Sequence, residues 1–112
     1  MPGVPTIPPE LKKIRDEAGH LLNDKAPSSK KNESGWAFRL RIKEHEIWMD
    51  MGKVLMGVYY VQLKEEAPER YAWEYGQNKT LVSAFERRAR KLFRMGWTPG
   101  MPLVPFGPEV DY

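Results

Sequence analysis

The sequence predicts a mainly α-helical protein with about three helices. Apolar residues recur at helical spacing in three stretches, prolines collect at both ends of the chain, and one stretch alternates as a strand does. The helices are expected at residues 9–22, 44–66 and 80–95. A chain of 112 residues has the size of one domain. We therefore expect a single small domain at 9–97, with extended proline-rich tails at 1–8 and 98–112.

The first helix is predicted at 9–22. Its apolar residues recur at steps of three and four, and two prolines at its start fit a first turn, where the missing N–H costs nothing. These apolar residues are Leu11, Ile14, Ala18 and Leu21. Residues 23–35 then contain no apolar side chain longer than alanine apart from one proline. This composition predicts a flexible loop.

The next stretch has the two-residue period of a half-buried strand. Apolar and polar or small residues alternate strictly through 36–43. The apolar positions are Trp36, Phe38, Leu40 and Ile42. We expect a short extended segment here. Because one strand cannot stand alone, the alternative is an α+β fold with a hairpin formed by 36–43 and 54–63.

The long second helix is predicted at 44–66, where apolar residues step by four and three over more than five turns. Gly52 and Gly57 each lower helix propensity by about 1 kcal/mol, so they either count against the helix or mark the close approach of a neighbouring helix. A membrane span at 47–63 is possible but disfavoured, because Asp50, Lys53 and Gln62 interrupt the apolar run.

The third helix, at 80–95, is amphipathic and strongly basic. Residues 79–94 contain six basic residues against Glu86 alone, although the whole chain carries a net charge of only +3. Asn78 or Thr80 is expected to cap the helix. The basic residues fall opposite an apolar face that includes Leu81, Phe85 and Leu92. This local patch is more informative than the overall charge.

The sequence offers no positive sign of catalysis or of a cofactor. It contains no cysteine, so disulfides, zinc–thiolate sites and thiol chemistry are excluded. The stretch from Glu44 to Trp48 begins like a zinc-protease motif, but Met49 stands where the second histidine is required. Glycine-rich phosphate loops and nucleophile elbows are missing as well. We expect neither an enzyme nor a metal site.

These observations favour a non-catalytic accessory or structural subunit of a larger multi-subunit assembly, with an organellar assembly of respiratory type as the hypothesis. Other protein subunits are the expected partners, and anionic lipid is a possible one through the basic helix. The predicted partner-binding residues lie in the basic helix and the C-terminal tail. They are Arg87, Arg90, Lys91, Arg94, Met101, Leu103 and Phe106.

The alternative function is a small nucleic-acid-binding module that uses the basic helix on phosphates and nearby aromatic rings on bases. Its predicted contacts are Arg39, Arg41, Lys43, Arg87, Arg88, Tyr71 and Trp73. A secretory signal is not recognisable at the start of the sequence. The expected location is therefore intracellular, with the mitochondrion as a hypothesis.

Overall fold

Four helices account for most of the described chain. The structure is a computed structural model that describes residues 3–98 and residue 101. The helices are α1 (Pro9–Leu22), α2 (Gly35–Glu66), α3 (Pro68–Gln77) and α4 (Lys79–Arg94). The mainly helical fold class and the first helix are as the sequence predicts. The number of helices and the extended segment are not.

The prediction of an extended segment at 36–43, with its hairpin alternative, is wrong. These residues form the first turns of α2. The Ser34 hydroxyl accepts a hydrogen bond from the Ala37 N–H at 3.1 Å, so Ser34 caps a helix that starts well before the predicted residue 44. Arginine, leucine and lysine favour helices, and no neighbouring strand offers a ladder among the described residues.

Helix α1 lies antiparallel against α2. Leu11, at its start, belongs to the same buried cluster as Tyr60 and Leu63 near the end of α2. At the other end, a Cβ atom on Gly52 would lie 2.9 Å from the Leu22 Cγ, so the two helices come close there. Of the two interpretations of Gly52, the close approach of a neighbouring helix is the one that the structure supports.

The loop from residue 23 to residue 34 returns along the amino-terminal half of α2 and is held by side chains. Arg41 forms an ion pair of 2.7 Å with Glu33 and also donates to the carbonyl of Ser28 at 3.3 Å. The His45 Nδ1 lies 3.0 Å from the Asp24 Oδ2. These contacts place one side of α2 against its own loop.

Helix α3 is an element that the sequence analysis missed. Pro68 occupies its first turn, where proline is favoured, and Gly76 lies inside the helix near its end. Single residues, Ala67 and Asn78, separate α3 from its neighbours. The chain therefore turns sharply twice, and α4 runs back along α2.

Helices α2 and α4 are antiparallel and enclose the core. Leu63 lies in the same cluster as Val82 at the start of α4, whereas Val54 lies in the same cluster as Leu92 near its end. At the crossing, a Cβ atom on Gly57 would overlap the carbonyl oxygen of Phe85. Gly57 thus also marks a close approach between helices, and the contact requires glycine there.

The described part of the N-terminal tail lies on its own fold. Ile7 packs against the cluster around Tyr59, and the Pro5 carbonyl accepts a hydrogen bond of 2.8 Å from the Arg70 guanidinium. Of the tail predicted at 98–112, the described residues include Thr98 and Met101, which are joined by a backbone hydrogen bond of 3.1 Å.

Candidate docking surface

The packing of α4 determines which of its side chains face outward. Its inner side contributes Val82, Ala89 and Leu92 to the core, all buried. The Asn78 side chain caps the helix by accepting from the Leu81 N–H at 3.1 Å, as predicted. Leu81 differs from its predicted inward position, because it is half-exposed. The predicted basic face still lies away from α2.

The cations of α4 divide into exposed and engaged groups. Arg87 and Arg94 are exposed and lie seven residues apart, which places them on one side of the helix about 10 Å from each other along its axis. Arg90 pairs with Glu86 at 2.8 Å, yet 54% of its side chain remains exposed. Lys91 is half-buried and also makes an interaction.

The only carboxylate of α4 does not face the arginines that point to solvent. Glu86 is 4% exposed, and it accepts hydrogen bonds from the Tyr71 hydroxyl and from Arg90. Because the buried carboxylate lies beside these donors, it neutralises the inner part of the helix. The outward side of α4, around Arg87 and Arg94, keeps its positive charge.

Two further cations predicted as nucleic-acid contacts lie on α2. Arg39 and Lys43 are exposed, and their spacing of 11 and seven residues from Asp50 places all three on one side of the helix. Asp50 in turn lies 3.5 Å from Arg88 of α4. The structure therefore brings Arg39 and Lys43 to the side of α2 that meets α4, whereas Arg41 is held by Glu33.

The aromatic side chains predicted to stack on bases have partners within the fold. Tyr71 stacks on Tyr75 with 5.7 Å between ring centroids, and its hydroxyl binds Glu86. The Trp73 ring is 38% exposed, and the Arg70 guanidinium lies over it at 4.6 Å. Among the tail residues predicted to bind partners, Met101 is half-exposed. Leu103 and Phe106 lie outside the described residues.

A buried polar cluster beside the core was not found from the sequence. Glu74 accepts hydrogen bonds from Tyr59 at 2.5 Å, from Tyr60 at 3.3 Å and from the Arg70 Nε at 2.8 Å. Burial, followed by the Glu74 charge, raises the pKa of both tyrosines, to about 12 for Tyr60. The sequence feature that could have indicated this cluster is the four-residue spacing of Arg70 and Glu74, which allows an ion pair on a helix.

This cluster of Tyr59, Tyr60, Arg70 and Glu74 stabilises the packing of the helices. All four residues are at most 9% exposed, so a substrate has little access to them. Each carboxylate oxygen of Glu74 already accepts a hydrogen bond from a buried donor. Such a cluster fixes the orientation of α3 against α2, because leaving any member unpaired would be costly.

The two histidines lie beside a surface cleft of about 350 Å³ between the end of α1 and the amino-terminal half of α2. His20, Arg41, His45 and Trp48 are among its lining residues. The contact between His45 and Asp24 closes one wall. Within the described residues, no group of three or more candidate ligands is placed to hold a metal ion.

The region considered for a membrane span, 47–63, lies in the middle of α2, where most of its side chains pack against the other helices. No helix in the described part of the chain has the length and apolar character needed to cross a bilayer. Comparisons with protein-family models, with curated protein sequences and with solved structures give no match for this chain.

Proposed function

We propose that this protein is a non-catalytic accessory subunit of a larger protein assembly, and that it docks through the outer face of α4. The observation that carries the proposal is the separation of charge on this helix. Arg87 and Arg94 are exposed, whereas Glu86 is buried. Two exposed arginines that meet no carboxylate among the described residues, on a capped helix, support a role in electrostatic docking.

Arginine is suited to an acidic protein surface because its planar guanidinium can donate two parallel hydrogen bonds to one carboxylate. Arg87 and Arg94 supply two such groups, and the exposed half of Arg90 lies between them in sequence. The partner surface that fits is a pair of carboxylates about 10 Å apart. The organellar, respiratory-type setting is part of the proposal and comes from the sequence features alone.

The tails form the second part of the proposal. The N-terminal segment already lies against α3 through Pro5 and Arg70. The C-terminal segment, with Met101, Leu103 and Phe106, is therefore the tail that we propose as a partner contact. Its apolar side chains alternate with prolines, a pattern suited to an extended strap.

A nucleic-acid-binding module is the second candidate. The observation in its favour is that exposed Arg39 and Lys43 lie on the side of α2 where Asp50 meets Arg88 of α4, which gives phosphates a second group of cations besides Arg87 and Arg94. Phosphate contacts along this surface would be strongly weakened by salt, with a log–log slope of about 0.9 for each duplex phosphate neutralised.

Charge reversal distinguishes these functions. The test variant is Arg87→Glu/Arg94→Glu, and Lys12→Glu/Lys13→Glu on the exposed side of α1 makes the same change in net charge elsewhere. Tagged chains are expressed in the source cells, and the native particle is sized before and after nuclease. We expect the wild type and the α1 variant to sediment in a large, nuclease-resistant particle. The α4 variant should sediment as a free chain of 13.0 kDa.

Retention of the α4 variant in the particle would refute docking through this face. Collapse of the wild-type particle on nuclease treatment would instead favour the nucleic-acid module. Circular dichroism of each purified variant checks that the helices are intact. Because Arg87 and Arg94 are exposed, neither substitution should unfold the protein.

A further inference from the structure

The amino-terminal half of α2 carries an exposed apolar stripe, formed by Trp36, Leu40 and Ile47. Trp36 is 71% exposed, Leu40 is 49% exposed and Ile47 is half-buried. Spacings of four and seven residues place the three side chains on one side of the helix. Arg41 and His45, which hold the loop, lie on another side, so the loop leaves this α2 stripe exposed.

The α2 stripe lies in line with the surface on which α4 packs. Val54 follows Ile47 by seven residues and is buried in the same cluster as Leu92 of α4. Trp97, just after the end of α4, packs against this cluster. Helix α4 therefore covers this side of α2 in its carboxyl-terminal half, and the same side of the amino-terminal half is accessible to another helix.

We propose that two copies of this chain pair through their α2 stripes, with the two helices antiparallel about a twofold axis. An interface of this kind uses the same surface on both copies, so the surface must complement itself. The α2 stripe meets this condition in its apolar side chains and in the charges along one of its edges.

The charges along this edge are self-complementary. Arg39 and Lys43 come first and Glu46 and Asp50 follow, on one side of the helix. In an antiparallel pair with its axis between residues 44 and 45, Arg39 lies level with Asp50 of the second copy. Lys43 lies level with Glu46 of the second copy. A parallel pair would place each charge beside its own counterpart, so the charges favour the antiparallel arrangement.

The other charges of this part of α2 are compatible with the pairing. Residues 36–50 contain three arginine or lysine residues and three carboxylates, so the two copies do not repel each other as a whole. Asp50 lies 3.5 Å from Arg88 of its own chain, but 42% of its side chain remains exposed. Arg41 is held by Glu33 on the side of the loop.

Glu44 is the one group that opposes the pairing. It is exposed and lies on the other edge of the stripe close to the axis, so the two copies of Glu44 face each other. Lys25 and Arg41 line the same cleft as Glu44 and supply positive charge beside it. We therefore expect Glu44 to weaken the dimer without preventing it.

The apolar side chains fit the same alignment of the two helices. Leu40 lies level with residue 49 of the second copy, between Ile47 and Met51, and Trp36 lies level with residue 53, close to the place where Trp97 packs. A tryptophan buries about 150 to 250 Å², and the two stripes with their edges bury on the order of 1,000 Å² in total. This area is at the low end for a specific interface, so we expect a reversible dimer.

Sedimentation equilibrium of the purified full chain tests the proposal without any partner. The proposal does not depend on docking through α4, because the exposed Arg87 and Arg94 lie away from α2. We expect the mass to rise with protein concentration from 13.0 kDa toward twice that value. Trp36→Ala removes the largest apolar side chain of the stripe and should weaken the dimer at least about tenfold. A chain that stays monomeric up to about 1 mM would overturn the proposal.

Two single substitutions test the antiparallel arrangement. Lys43→Glu and Glu46→Lys each place like charges opposite each other twice in the dimer, so each variant alone should dimerise at least about tenfold more weakly. An equal mixture of the two restores both pairs and should form a heterodimer with the affinity of the wild type. Both residues are exposed, so the helices should stay intact, which circular dichroism checks.

Two further variants complete the test. Lys12→Glu, exposed on α1, makes the same change in net charge as Lys43→Glu and should leave dimerisation unchanged. Glu44→Gln should strengthen the dimer, because it removes the repulsion at the axis. A dimer that Trp36→Ala and Lys43→Glu leave intact would place the interface elsewhere and refute the proposal. A mixture of Lys43→Glu and Glu46→Lys chains that associates no more tightly than either alone would refute the antiparallel pairing.

Discussion

Substitution of Gly57 by alanine tests the packing of α2 against α4. A Cβ atom at this position would lie 2.8 Å from the Phe85 carbonyl carbon and 2.9 Å from the Ala89 Cβ, and it would overlap the Phe85 oxygen. Carbon atoms in contact prefer about 3.5 to 4.0 Å, so α4 must move away by roughly 1 Å. Because the obstacle is backbone, a side-chain rotation cannot relieve it.

The net effect is the difference of two opposing terms. Alanine stabilises a helix by about 1 kcal/mol relative to glycine. Overpacking a core costs about 1 to 3 kcal/mol, and an obstacle made of backbone places Gly57 at the upper end of this range. Separation of the helices also weakens the contacts of Val54 and Val58 with α4. We expect Gly57→Ala to lower the free energy of unfolding by about 2 kcal/mol.

Urea unfolding followed by circular dichroism measures this change. Gly19→Ala is the matched control, since Gly19 is also helical and a Cβ there meets nothing within 4 Å. It should raise the free energy of unfolding by up to about 1 kcal/mol. Gly52→Ala should fall between them, because its nearest obstacles are Leu22 side-chain atoms, which can move, and the Leu21 Cβ is less close, at 3.1 Å. A Gly57→Ala protein as stable as Gly19→Ala would refute the packing argument.

Three further predictions concern the polar groups of the fold. The raised pKa of Tyr60, about 12 against its ordinary 10.0, keeps the folded hydroxyl neutral, so this contribution to stability is complete below pH 10 and is lost as the pH rises toward 12. Urea unfolding at a series of alkaline pH values should show the decline, and a flat profile would contradict it. Glu74→Ala leaves Arg70 buried without its carboxylate, and it should cost about 3 to 5 kcal/mol in thermal or urea unfolding. Replacing Asn78 by alanine removes the cap on the Leu81 N–H and should cost about 1 kcal/mol, with faster amide exchange at the start of α4 as the accompanying sign.

The helical periods of α1 and α4 were sufficient to predict both helices, because each presents one apolar side to the core. The amino-terminal half of α2 has no such side. There Trp36 and Leu40 are exposed and Phe38 is half-buried, so the apolar positions do not follow the helical period of a packed surface. Their alternation resembles that of a strand. The residue that could have indicated a helix instead is Ser34, which caps its first turn.

Helix α3 was missed for a different reason. It has few buried residues, and two of them, Arg70 and Glu74, are charged. An apolar pattern cannot detect a helix that is fixed through an ion pair and two tyrosine hydroxyls. Similarly, the sequence indicated a basic face on α4 but could not tell which arginines remain exposed. That depends on Glu86 and Asp50, whose positions are set by the fold.

The hydrogen bond between Arg70 and Pro5 joins parts of the chain that are 65 residues apart. Closing so long a loop is entropically costly, and contacts of this kind form after local ones during folding. The antiparallel pairs α1–α2 and α2–α4 have shorter loops to close, so they can assemble before residues 3–8 attach. We therefore expect the N-terminal segment to attach in the last stage of folding, so that its deletion speeds unfolding much more than it slows refolding.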